Sequence, residues 1–164
     1  MVKRRLKSWL YEHISDHYVK SAKKTGYHAR SAYKLKEIDE IENLIKSGQV
    51  IIELGSAPGS WSQYICSKLS IRNRHRVNGM IISLDIIPME PIDGVHFIRG
   101  DFCDKNTLVQ LENLLEDRKA DLILSDMSPN LSGIDISDAA RVEEMIISTI
   151  EFTKKYANSK GTLL

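Results

Sequence analysis

Hydrophobic residues recur along this chain with two different periods. From about Lys7 to Lys24 a polar stretch carries a partial apolar stripe at helical spacing, Trp9, Leu10, His13, Ile14 and Val19, and Gly26 breaks it. A second helix is predicted from Ser31 to Glu42, with Ala32, Leu35, Ile38 and Ile41 at helical spacing and Ser31 as its N-cap. After the Ser47-Gly48 turn the texture changes. QVIIELG is a short β-branched run ending in glycine, the pattern of a parallel strand buried on both faces. A helix follows from Ser60 to about Lys68, then a strand in GMIISLD and another in VHFIRGD. Asn106–Leu115 is amphipathic, with Leu108, Leu111, Leu114 and Leu115 on one side. ADLILSD is a fourth strand. Ser137 and Asp138 open a long helix to about Tyr156 whose packing face is read as Val142, Met145, Ile146, Thr149, Ile150 and Phe152. Gly161 to Leu164 opens a fifth strand, expected in the middle of the sheet.

Strands alternating with helices predict an α/β fold, Rossmann-like, with a mostly parallel sheet covered by helices on both faces. The expected organisation is a basic helical segment over 1–46, part of the same domain, and a Rossmann-like body over 47–164 that is incomplete at its C-terminus. No internal repeat is present. Ile71–Asn78 (IRNRHRVN) reads as a surface loop.

Composition narrows the classes. At 164 residues, 42% hydrophobic and 27% charged, the chain has ordinary globular usage for one domain. No apolar run approaches the roughly 20 residues of a membrane span. The N-terminus MVKRRLKSWL has no signal-peptide core. Cys66 and Cys103 form neither a disulfide framework nor a metal spacing, so no metal is expected and a cytoplasmic location is the default.

Net charge is +1, but it is unevenly placed. Residues 1–36 carry ten Lys/Arg against Glu12 and Asp16, or +8, leaving −7 on the rest. A basic front end interleaved with Trp9, Tyr11, Tyr18, Tyr27 and Tyr33 matches the demands of a nucleic acid partner, phosphate attraction plus base stacking. A solvated basic tail is the plainer alternative.

In an open α/β sheet, ligands bind beyond the carboxyl ends of the strands. The first strand runs into Gly55-Ser56-Ala57-Pro58-Gly59-Ser60-Trp61, a glycine turn leading to a helix N-terminus. The second ends at Asp85, placed to accept from ribose hydroxyls. The third leads to Asp101 beside Phe102, an acid for an exocyclic amine and a ring for a base face. The fourth ends in Ser125-Asp126-Met127-Ser128-Pro129-Asn130. In this order the residues describe a site for an adenosine-containing cofactor. No Gly-Lys-Ser/Thr follows the turn, which excludes a P-loop, and the G-x-G-x-x-G spacing of a dinucleotide site is absent.

The stretches ELGSAPGSWSQY (Glu53–Tyr64), LDIIPMEP (Leu84–Pro91), GVHFIRGDF (Gly94–Phe102), LSDMSPNLSG (Leu124–Gly133) and SAYKLKEID near the N-terminus resemble the FtsJ-type ribosomal RNA large subunit methyltransferases over nearly the whole chain. The resemblance implies S-adenosylmethionine as cofactor and methylation of the ribose 2′-oxygen of a uridine in large-subunit ribosomal RNA. The expected partner is that RNA or the large ribosomal subunit, met by a monomer with no membrane attachment. Gly59, Trp61, Asp85, Asp101 and Asp126 fall on the family's cofactor-contacting positions. Lys34 and Asp126 fall on catalytic positions. The resemblance also implies a second catalytic lysine on the strand following the long helix and a glutamate further on; neither position, nor the last strands of the fold, falls within these 164 residues, so slow turnover and marginal stability are expected of them. Ser60 stands where the family has a second glycine, and a positive φ there would be strained. The alternatives are a catalytically impaired homologue that only binds RNA or ribosomes, and a nicotinamide dehydrogenase.

The charge split generates the first prediction. Reversing Lys3, Arg4, Arg5 and Lys7 lowers RNA affinity and flattens its salt dependence, each lost phosphate contact reducing the slope of log K against log salt by about 1. Titrations across a salt series measure this. An unchanged slope identifies the front end as a solvated tail.

Overall fold

The computed structural model describes residues 25–71, 77–130 and 132–164. The helix expected over 7–24 and most of the Ile71–Asn78 loop lie outside them. In chain order the elements are α1 (Ser31–Glu42), β1 (Val50–Leu54), α2 (Ser60–Leu69), β2 (Met80–Asp85), β3 (Val95–Arg99), α3 (Lys105–Leu115), β4 (Ala120–Ser125), α4 (Asp135–Tyr156) and β5 (Ala157–Leu163). The strands form one sheet in the order β3-β2-β1-β4-β5, every neighbouring pair parallel. The order reverses at β1, which pairs Leu54 with Leu84 on one side and with Ser125 on the other.

Strand alternation divides the core into two layers. Ile52, Leu54, Ile82, Leu84 and Ile123 face Leu111 and Leu115 of α3 and Phe152 and Tyr156 of α4. Ile51, Ile81, Leu122 and Leu124 face Leu35 of α1 and Trp61, Ile65 and Leu69 of α2. All five residues of β1 are buried, as its apolar run predicts.

Several expectations are corrected. Ser31 is not the cap of α1. Arg30 occupies that position without a side-chain cap, and the Ser31 hydroxyl pairs instead with Ser60 Oγ at 2.7 Å. Ile41 is exposed, and the buried stripe of α1 is Ala32, Leu35 and Asp39. Asp39 is 1% exposed because three donors meet it: the Ile45 N–H at 2.8 Å, the Tyr64 hydroxyl at 2.8 Å and Lys68 Nζ at 3.0 Å. Burial raises this carboxyl's pKa, but those donors outweigh it and hold the group below its ordinary value. On α4, Ile146 and Ile150 are exposed, while Thr149, Phe152 and Tyr156 face the sheet. Among the described residues β5 pairs with β4 alone and Leu163 is exposed, which agrees with the open sheet edge expected of these 164 residues. Ser60 carries no strain, because it is the first residue of α2 and the positive φ belongs to Gly59.

One polar cluster sits inside the α2 layer. Glu53, 1% exposed in β1, accepts from Ser62 Oγ of α2 and from Ser83 Oγ of β2 at 3.0 Å. Burial pushes its carboxyl up to about 7, against the lowering by the two hydroxyls, and the charges of Asp126 and Asp85 push the same way as burial. The unfolded value is near 4.5, so folding favours the protonated form. Stability contributed at low pH is therefore lost as pH rises from about 4.5 through 7, to the extent of about 3 kcal/mol. Glu53→Gln keeps an acceptor for the serines and removes the titration. Its melting temperature is expected to exceed that of the native chain at pH 8 and to match it at pH 5. Parallel loss of stability in both proteins across that range refutes the assignment.

Candidate functional site

The reversal of strand order at β1 brings four strand ends to one edge. At the β1 end, Gly55 has φ +75°, and a Cβ there would stand 2.6 Å from Met127 Cγ, so the close passage of the β4 extension requires glycine. Gly59 has φ +102°, and a Cβ would meet Met89 Sδ at 2.7 Å and Ile92 Cδ1 at 2.8 Å. Between them the loop is laced to β2. The N–H groups of Gly55 and Ser56 both donate to Leu84 O, at 3.0 and 3.2 Å. Ala57 N–H donates to Asp85 Oδ2 at 2.7 Å, and Ile87 N–H to Asp85 Oδ1 at 2.8 Å. Asp101 Oδ1 fixes its own turn by accepting from Cys103 N–H at 2.8 Å.

These ends enclose a cavity of about 440 Å³, within the range of small-molecule sites. Asp85, Asp101 and Asp126 line it together with Phe102, Ile86, Ile87, Met127 and Met145. Among the described residues its only charged lining groups are those three aspartates. A triphosphate or pyrophosphate finds no cation among these lining residues, whereas a positively charged ligand with ribose hydroxyls and an amine finds acceptors for each. A larger cavity, about 500 Å³, lies by the amino ends of β1 and β4 and is lined by Glu42, Lys46, Asp121 and Lys160. It contains none of the strand-end acids, and the chemistry lies at the opposite edge.

Lys34 reaches this edge from α1. Its Nζ donates to Asp126 Oδ1 at 2.6 Å, across 92 residues of sequence. The two side chains are 60% and 31% exposed, open to a large substrate. Lys34 Nζ also lies 5.6 Å from the Trp61 ring centroid. Trp61 itself is buried and donates from Nε1 to Ser31 O at 2.8 Å. Neither Trp61 nor Gly59 lines the cavity. Trp61 joins α2 to α1 and so supports Lys34, and Gly59 caps α2 in the left-handed conformation.

A model of the FtsJ-like methyltransferases matches residues 27–164. The chain belongs to this family. It is 56% identical to a ribosomal RNA large subunit methyltransferase E of Janthinobacterium sp. (strain Marseille), over 100% of this chain and 77% of that relative. The protein of the same description from Paraburkholderia phymatum is 54% identical, over 96% of this chain and 74% of the relative. A crystal structure of a ribosomal RNA methyltransferase from Plasmodium falciparum superposes with a TM-score of 0.76 at 34% identity, over 84% of this chain and 76% of that one. As an FtsJ-like methyltransferase the chain takes its methyl group from S-adenosylmethionine.

The residues present fit that cofactor. Asp85 can accept from a ribose and Asp101 beside Phe102 can meet an adenine. The three carboxylates match the sulfonium charge. The Ser56 hydroxyl, in the loop between two lining residues, is buried with no partner among the described residues. Sequence reasoning missed the apolar wall. Ile86 and Ile87 are 62% and 58% exposed directly after Asp85, and an apolar pair beyond a strand-end acid was the available signal. Met145 carried no such signal, since helical spacing assigns it to packing.

Asp85→Ala is expected to weaken S-adenosylmethionine binding by about 1–3 kcal/mol, by loss of an ionised acceptor. Asp85→Asn, which keeps a carbonyl acceptor, is expected to lose less. Calorimetry on the two variants measures both, and native affinity in Asp85→Ala removes Asp85 from the site.

Proposed function

We propose that the chain methylates the ribose 2′-oxygen of a uridine in large-subunit ribosomal RNA, as a cytoplasmic monomer acting on the RNA or the assembling large subunit. The observation that carries this reading is the Lys34–Asp126 bond at the mouth of a cavity whose charged lining is three aspartates. The names of the relatives support the substrate. The +8 charge of residues 1–36 supports a polyanionic partner. No helix among the described residues is long and apolar enough to cross a membrane.

A ribose hydroxyl is a poor nucleophile at neutral pH, so the first requirement is position. S-adenosylmethionine supplies an electrophilic methyl group on its sulfonium when bound. In our reading Asp85 and Asp101 fix the cofactor's orientation, and Lys34 and Asp126 hold the acceptor oxygen. Lys34 Nζ donates to Asp126 Oδ1, which leaves Asp126 Oδ2 to accept from the incoming hydroxyl while the ammonium donates to the same oxygen or to the adjacent phosphate. The hydroxyl proton becomes acidic as the oxygen gains its new bond to carbon. A carboxylate is then base enough to receive it and release it to water. Lys34 keeps Asp126 aimed, and Trp61 keeps Lys34 over the cavity mouth.

The test is transfer of tritiated methyl groups to large-subunit particles lacking the modification, followed by mapping of the labelled nucleotide. Lys34→Ala and Asp126→Ala are each expected to lower turnover by roughly 10²–10⁴-fold. Lys34→Ala is expected to leave cofactor affinity within about twofold of native. Label on a base rather than a ribose, or native turnover in Lys34→Ala, overturns the reading.

A further inference from the structure

The loop that bears on the cofactor cavity is held from two sides at successive residues, 57 and 58. On the cavity side, Asp85 Oδ2 accepts from Ala57 N–H. On the other side, the carbonyl of the next residue, Pro58, points at an imidazole: His28 Nδ1 lies 2.6 Å from Pro58 O. A carbonyl only accepts, so Nδ1 carries the hydrogen and His28 donates. The bond is available to the neutral Nδ1–H tautomer and to the cation alike. His28 is itself clamped. Its N–H donates to Gln63 Oε1 at 2.8 Å, and Gln63 Nε2 donates to Gly26 O at 3.2 Å, so one amide of α2 grips the backbone at both 26 and 28. Tyr27 between them packs against the α1–α2 core layer and sets its ring edge-on to Tyr33, 5.8 Å between centroids.

The segment 26–28 therefore joins three things. It follows the basic stretch of the chain, it precedes α1 with Lys34, and it holds the loop whose other side is Asp85. We propose that His28 is a positioning residue for cofactor binding: its Nδ1–H fixes the Pro58 carbonyl, and through it the Ala57–Asp85 bond, so that the segment leading from the RNA-binding front end sets cofactor affinity. The proposal rests on the cofactor site argued above. It predicts reciprocal coupling, in which whatever orders residues 26–28, RNA included, tightens the cofactor.

The side chains that test it differ in which nitrogen they reproduce. The amide nitrogen of asparagine sits near the place of imidazole Nδ1, and that of glutamine near the place of Nε2. His28→Asn should keep the bond, whereas His28→Gln and His28→Ala should lose it. Calorimetry with S-adenosylmethionine on the full chain, without RNA, is expected to give a Kd raised about five- to tenfold in His28→Ala and His28→Gln and within about twofold of native in His28→Asn. Amide hydrogen exchange read without cofactor should show faster exchange at Ala57 and Gly59 in the alanine and glutamine variants only. Native affinity in His28→Ala while Asp85→Ala is impaired overturns the role of His28 and leaves the cofactor site standing. Native affinity in both variants overturns the cofactor site. Unchanged exchange at Ala57 and Gly59 in His28→Ala overturns the role of His28 whatever the affinity, and equal weakening in all three His28 variants overturns the Nδ1 bond as its cause.

Discussion

Because β1 is hydrogen-bonded on both sides to strands running in its own direction, β1, β2 and β4 leave the sheet at one edge. Each exit must then turn without leaving buried amides unpaired. The molecule meets that demand with the groups already there. Leu84 O accepts from two successive amides of the β1 loop, and Asp85 takes the next. The cavity is the space these turns leave between them. Two of its three acids follow from the same constraint, since Asp85 and Asp101 tie down the loop amides at 57, 87 and 103, while Asp126 is held by Lys34.

The second requirement is to bring α1 over that edge, and here the joints are few and polar. The carbonyl of Ser31 takes the Trp61 indole N–H, and the hydroxyl of Ser31 takes Ser60 Oγ. Asp39, a little over two turns further on, binds Tyr64 and Lys68 of α2. Between these two joints stands Lys34, on the face turned to Asp126. The lysine owes its place to bonds made by its neighbours rather than to packing of its own chain, which stays exposed. Beyond the cavity a further latch holds the loop after β4. Asp138 of α4 accepts from Ser132 N–H at 2.7 Å and Gly133 N–H at 2.9 Å, and Arg141 Nη1 donates to Asn130 O at 2.7 Å.

Most of the sheet and its covering helices were legible in the sequence because hydrophobic period and strand-end glycines act locally. The bounds of α1 and β2 follow directly from SAYKLKEIDEIE and MIISLD. The site acids were legible as a set, since their position at successive strand ends is itself a topological fact. What escaped was whatever depends on partners distant in sequence. Nothing local to Asp39 says that it is buried, because its three donors come from 45, 64 and 68. Nothing local to Ser31 says that it abandons a capping role for Ser60. Nothing local to Trp61 says that its ring belongs to the α1–α2 joint, because the indole N–H finds its acceptor at Ser31. On α4 the periodicity could not separate Ile146 and Ile150 from the residues that touch the sheet, because the apolar positions there run nearly all round the helix.

The double use of Asp85 has a consequence for how such a site tolerates change. In many enzymes the groups that act on a ligand are poorly placed for folding, and a variant can gain robustness by giving up activity. Asp85 is not such a group. The carboxylate that faces the cavity is also the one that ties down the Ala57 and Ile87 amides, so the two demands fall on the same pair of oxygens. A lineage drifting under selection for a folded chain alone would still be held to a side chain that can bind.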